Sequence, residues 1–234
     1  TMSANHAAFN LIFRFVENYI SPIAGRISSQ RHVMAIRDGF ISAMPFMIVG
    51  SFLLVFAYPP FSPDTTWGFA RAWLDLAKEF EGRILTPFDM TMGIMSIYIC
   101  AAISYNLGKH YEKSNQLDPF MCAMLSIMAF LLIAAPKTNG TLPVDSLGGT
   151  GIFTAILVAI YCVEMMRFLK AHNIGIRLPD QVPPMIKNSF DLLIPVLVVV
   201  LTLYPLSLFI QHHFDMLIPQ AIMAIFKPLV SARG

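Results

Sequence analysis

Asn106 and His110 are the pair of side chains best placed to do chemistry in this sequence. A spacing of four residues puts an amide and an imidazole on one face of a helix. Both are hydrogen-bonding groups of the kind a hydroxyl-rich ligand needs. They are therefore the candidate substrate contacts. The competing reading is that polar groups in apolar helices bond to a neighbouring helix or to their own backbone. Ser96, Ser104, Ser126, Thr154 and Thr202 fall under that reading as well. Glu164 and Arg167, three residues apart, are expected to form an interfacial ion pair. His212 and His213 have no cysteine or third ligand beside them, so a boundary anchor is expected rather than a metal site. Cys100, Cys122 and Cys162 each lie inside an apolar segment with no CxxC spacing, which predicts packing residues. No nucleophile elbow, phosphate loop or zinc helix occurs. No catalytic residue, cofactor or metal is expected.

The elements that must hold these residues are apolar. Of 234 residues, 56% are hydrophobic and 13% charged, against about 25% charged in soluble domains. The charges gather in short polar stretches, and the segments between them are apolar all the way round. Lipid demands that of a helix, because every backbone polar group must be satisfied internally. A helix of about 20 residues crosses roughly 30 Å of hydrocarbon. On that measure five spans are predicted: Phe40–Tyr58, Pro87–Leu107, Pro119–Ala135, Gly151–Phe168 and Ser189–Ile210. The fold class is all-α, a polytopic helical membrane protein with amphipathic interfacial helices at both ends. A net charge of +2 without a basic stripe argues against nucleic acid.

Residues 1–39 form an amphipathic and basic segment. Phe9, Ile12, Phe13, Val16, Tyr19 and Ile20 share one helical face, which suits a helix lying on the membrane. Residues 40–210 form the five-helix domain. Residues 211–234 form an amphipathic linker helix, interrupted by Pro219 and Pro228. Ten Lys and Arg residues lie before the first span and in the alternate loops after it, against four in the opposite loops. This bias predicts a cytoplasmic N-terminus. Pro45, Pro195 and Pro205 fall inside spans, where they can kink a helix. No charge lies near the middle of a span, which argues against a proton relay.

The stretch Arg177–Pro195, RLPDQVPPMIKNSFDLLIP, carries Val182-Pro183-Pro184, then Ser189-Phe190, then Leu193-Ile194-Pro195. It resembles the segment before the fifth helix in enzyme II C permeases of the bacterial sugar phosphotransferase system, in the lactose, cellobiose and diacetylchitobiose family. Arg31–Gly50 is similar to the start of that family's first span, and Leu117–Pro136 to its third. The resemblance implies a multi-pass protein of the bacterial plasma membrane and a homodimer. It also implies a disaccharide substrate and a phosphorylated enzyme II B partner that phosphorylates the sugar during uptake. Family members have about ten spans, the first half building the dimer interface and the second holding most of the sugar site. This chain then corresponds to an N-terminal half, truncated or natural, whose principal sugar contacts lie elsewhere. Two other readings stay open: a self-contained small permease or channel, and a membrane scaffold with no transport role.

Overall fold

The computed structural model describes residues 2–231, so Thr1 and the last three residues of the expected linker lie outside it. The described residues form eleven α-helices and short 3₁₀ or π turns. An N-terminal arm comes first: α1 (Met2–Phe15), a π turn (Val16–Ile20) and α2 (Ser21–Ser28). No residue from His6 to Gln30 is buried. The arm's apolar face, with Phe9, Ile12 and Tyr19 each more than 60% exposed, has no protein against it.

Helix α3 runs Arg31–Ala57, beginning nine residues before the expected span. Gln30 caps it, its side chain accepting from the Val33 N–H at 2.9 Å. Hydropathy marks only the part of a helix that lies in hydrocarbon, whereas a cap extends it through the polar interface.

Hydropathy places most of Gly68–Met90 in an outer loop, and the segment is instead helix α4. It is amphipathic, which a search for uniformly apolar segments passes over. The expected second span is broken at Thr91, and α4 meets α5 (Met95–His110) through a 3₁₀ turn at a bend of 41°. Loop residues satisfy the start of α5. The Ser96 N–H donates to Leu147 C=O at 3.0 Å, and the Ser96 hydroxyl donates to Gly148 C=O. Orphan amides at a helix start need such partners, above all where water is scarce.

After the single turn α6 (Glu112–Asn115) comes α7 (Pro119–Ala134), at 16 residues shorter than a full span. Helix α8 (Ile152–Ala171) follows the outer loop, and α9 (Pro184–Asp191) leads into α10 (Leu193–Phe214). Helices α3 and α10 both run through their internal prolines, Pro45 and Pro205. Asp215, at φ 51°, then turns the chain into α11 (Ile218–Ser231). Three helices, α3, α8 with its leading turn, and α9–α10, are each long and apolar enough to cross a membrane. The bent pair α4–α5 makes a fourth. All five expected spans are thus helical along most of their length.

Helix α5 is the centre of the bundle, packed against α3, α7 and α8 together. Its contact with α3 depends on small residues. Ala35, Gly39, Ala43, Gly50 and Ala57 form the buried side of α3. A Cβ on Gly39 would collide with the Ile103 side chain and approach its backbone N at 2.9 Å. Lipid tails are as apolar as leucine, so close backbone approach supplies the packing energy that hydrophobicity cannot. Beyond α5, Tyr161 and Thr202 join α8 to α10 through hydroxyls 2.6 Å apart.

Candidate functional site

The densest polar cluster lies where the ends of α3, α5 and α8 meet. Each helix brings polar groups there for a local reason. Glu164 and Arg167 sit one turn apart near the end of α8, where the sequence leaves hydrocarbon. Arg31 and His32 open α3 just after its Gln30 cap. Tyr111 is the residue that ends α5.

Glu164 is the hub. One oxygen accepts from His32 Nε2 at 2.7 Å and from the Tyr111 hydroxyl. The other lies 3.0 Å from an Arg167 Nη2. A carboxylate only accepts, so His32 must carry its hydrogen on Nε2. The Gln30 amide faces Nδ1 and fits the same tautomer. The Tyr111 ring is buried and lies beneath two guanidinium groups, Arg167 at 4.5 Å and Arg31 at 5.2 Å from its centroid. Burial, and then the bond to Glu164, push the Tyr111 hydroxyl above its ordinary pKa, while Arg31 and Arg167 pull the other way. The expected Glu164–Arg167 pair is therefore present and forms part of a tie across three helices.

Asn106 and His110 stand apart from this cluster. The Asn106 amide donates to Ala102 C=O of its own helix at 2.7 Å, the competing outcome foreseen from sequence. Its side chain borders a shallow recess of about 310 Å³ between α3 and α5, while His110 is exposed. The recess brings Asn106 beside Ser42 and Tyr98, and does not include His110.

Two further contacts fasten the connection before α10. Lys170 pairs with Asp191 at 3.2 Å, and the Asn188 amide donates to Asp118 at 3.1 Å. The three cysteines are buried and form no disulfide, the Cys100 thiol donating to Ser126 C=O at 3.6 Å, and no cluster of three or more metal-ligating side chains occurs among the described residues. His32 and Tyr111 cannot be found from sequence because they lie 132 and 53 residues from Glu164. No spacing rule reaches that far.

Residues 37–232 match the family described as "Phosphotransferase system, EIIC". The chain belongs to that family. The resemblance carried by Arg177–Pro195 is thereby borne out, and the EIIC chain is a helical protein of the inner membrane. The cellobiose-specific EIIC component of Geobacillus stearothermophilus is 35% identical over 206 residues, 80% of this chain and 43% of that protein. The lactose-specific EIICB component of Streptococcus mutans is 32% identical over 217 residues, 90% of this chain and 36% of that protein. Among solved structures, the transporter ChbC aligns with a TM-score of 0.76 at 31% identity. ChbC is the IIC component of the N,N'-diacetylchitobiose-specific phosphotransferase system. The alignment covers 93% of this EIIC chain and 52% of ChbC. The chain thus spans about half the length, or less, of these relatives.

Proposed function

We propose that this chain is the N-terminal, dimerising half of a phosphotransferase-system permease for a disaccharide of the cellobiose, diacetylchitobiose or lactose type. The observation that carries this reading is the alignment of nearly the whole chain with about half of ChbC. The permease takes up the sugar, and a phosphorylated enzyme II B component transfers phosphate to it during passage. The chain's own contribution is a rigid membrane scaffold. Residues 31–214 form the bundle, residues 1–30 lie along the membrane, and residues 215–234 lead toward the sugar-binding half.

The basic loops support a cytoplasmic N-terminus, and that orientation places the Glu164 cluster at the inner end of the bundle. Asn106 and His110, one turn apart near that end, are the groups this reading offers to a departing sugar. The homodimer is supported by α3, whose outward side presents Ile41, Ile48 and Phe52 over several turns. Single cysteines at these three positions test it through copper-catalysed crosslinking in native membranes. Crosslinked dimers are expected from at least one of them. A chain that stays monomeric at all three positions, and in detergent, sinks the scaffold reading.

A further inference from the structure

A recess of about 450 Å³ opens beside the Glu164 cluster, at the same end of the bundle. The end of α8 lines it with Glu164, Arg167, Phe168, Ala171 and His172, and α6 adds Asn115. One exposed face of α8 leads into it. Leu157, Tyr161, Glu164 and Phe168 follow one another at four, three and four residues, and Leu157 and Phe168 are more than half exposed. Charge begins on that face at Glu164, so the recess sits where hydrocarbon gives way to the polar interface.

Positive charge is in surplus there. Both Glu164 oxygens are engaged, by His32, Tyr111 and Arg167. Arg167 gives that carboxylate one nitrogen of a five-donor fork, and its side chain is 38% exposed. Arg31 lies over the same Tyr111 ring and forms no ion pair among the described residues. Two guanidinium groups thus share one carboxylate. Neutral groups stand open beside them. Asn115 accepts from the Ser114 hydroxyl at 3.0 Å through its carbonyl oxygen and keeps its amide hydrogens. His172 Nδ1 lies 3.0 Å from Phe168 C=O, which places the hydrogen on that nitrogen and leaves Nε2 to accept.

This arrangement selects a ligand with a phosphate, hydroxyls and an apolar tail. A guanidinium meets phosphate oxygens through its fork. A hydroxyl donates to His172 Nε2 and accepts from the Asn115 amide. An acyl chain lies down the exposed face of α8 over Phe168 and Leu157. A choline headgroup fits worse, because its cation finds no carboxylate to spare. Basic recesses between membrane helices bind anionic lipid headgroups in this way.

We infer that the recess binds the headgroup of an anionic glycerophospholipid of the phosphatidylglycerol type, with Arg167 and Arg31 on the phosphate and Phe168 under the acyl chain. The lipid supplies the second anion that the Glu164 tie leaves out. The inference requires only that the bundle lies in a membrane, and it holds whatever sugar the permease carries.

Native mass spectrometry of the full chain in detergent micelles tests it, by titration with phosphatidylglycerol and with phosphatidylcholine of the same chain length. Wild type is expected to bind phosphatidylglycerol about tenfold more tightly. Arg31→Gln and Arg167→Gln are each expected to weaken phosphatidylglycerol about fivefold, the usual worth of one basic side chain at an anionic surface, and to narrow its lead. Arg31→Gln leaves all three partners of Glu164 in place, so it carries the test even where Arg167→Gln disturbs the fold. Arg71→Gln, on the opposite side, is expected to bind like wild type. Equal binding of the two lipids by wild type overturns the inference, and so does an undiminished lead in Arg31→Gln. Displacement of the lipid by millimolar glycerol 3-phosphate overturns it too, because the recess is then a seat for a soluble phosphate.

Discussion

The Tyr111 hydroxyl donates to the Glu164 carboxylate across the ends of α5 and α8, two residues 53 positions apart in the chain. With His32 and Arg167 on the same carboxylate, this bond fastens three helices at one end of the bundle. Removing the acceptor is therefore expected to cost more than removing any one donor. Glu164→Ala strands a tyrosine hydroxyl, an imidazole and a guanidinium, and is expected to destabilise the chain by roughly 1–3 kcal/mol. Tyr111→Phe leaves the carboxylate two partners and is expected to cost about 1 kcal/mol. Unfolding in mixed detergent, followed by Trp67 and Trp73 fluorescence, measures both. Equal losses for the two variants would contradict the hub.

The same bond has a pH signature. The folded state raises the Tyr111 pKa above its ordinary value, chiefly through burial. A raised pKa means the fold favours the protonated hydroxyl. The resulting stability is fully present below the unfolded value, about 10, and is lost as pH rises through the higher folded value. Stability is expected to be flat in this respect through the neutral range and to fall in strong alkali. Tyrosinate absorbance in wild type and in Tyr111→Phe checks it. The late-ionising tyrosine absorbance of the first should be smaller by one tyrosine in the second.

Two glycines are expected to respond in opposite directions. Gly39→Ala places a methyl against Ile103, whose own backbone must then shift. Overpacking of this kind costs roughly 1–3 kcal/mol. A Cβ added to Gly25, in the exposed α2, would meet nothing within 4 Å. Gly25→Ala is therefore expected to stabilise that helix by about 0.5–1 kcal/mol. Detergent unfolding reports the first. Circular dichroism of the helix content reports the second.

Lys170 and Asp191 are each about one-third exposed, and their pair joins the end of α8 to the end of α9. Solvent screens such a pair, so Lys170→Met is expected to change stability by less than about 1 kcal/mol. The same unfolding assay in low and high salt measures it. A larger, salt-sensitive loss would mean that the connection before α10 is held by charge rather than by packing.

Orientation is open to a direct check. Lys113→Cys lies among the basic loops and Lys137→Cys in a loop on the opposite side. In intact cells a membrane-impermeant maleimide is expected to label the second and spare the first. The reverse pattern would place the Glu164 cluster at the outer end instead.

Much of this architecture is legible along the chain because lipid imposes a local rule. Helices such as Ile152–Ala171 and Leu193–Phe214 must be apolar all round the stretch that lies in hydrocarbon, and that shows in composition alone. The family is legible for the same kind of reason, through the contiguous stretch Arg177–Pro195. The small side of α3 is also legible in principle, since Ala35, Gly39 and Ala43 repeat every four residues. Amphipathic α4 and the break at Thr91 are not, because the bend depends on what the outer loop offers to the start of α5. Nor is the fate of Asn106, whose amide has equal claims from its own helix and from a ligand. The Glu164 tie and the stacking of Phe153 on Phe226 lie further still from any sequence pattern. Each joins residues brought together only when the bundle closes. Solvent preference is a property of each segment and can be read residue by residue, whereas a partner across helices exists only once packing has chosen it.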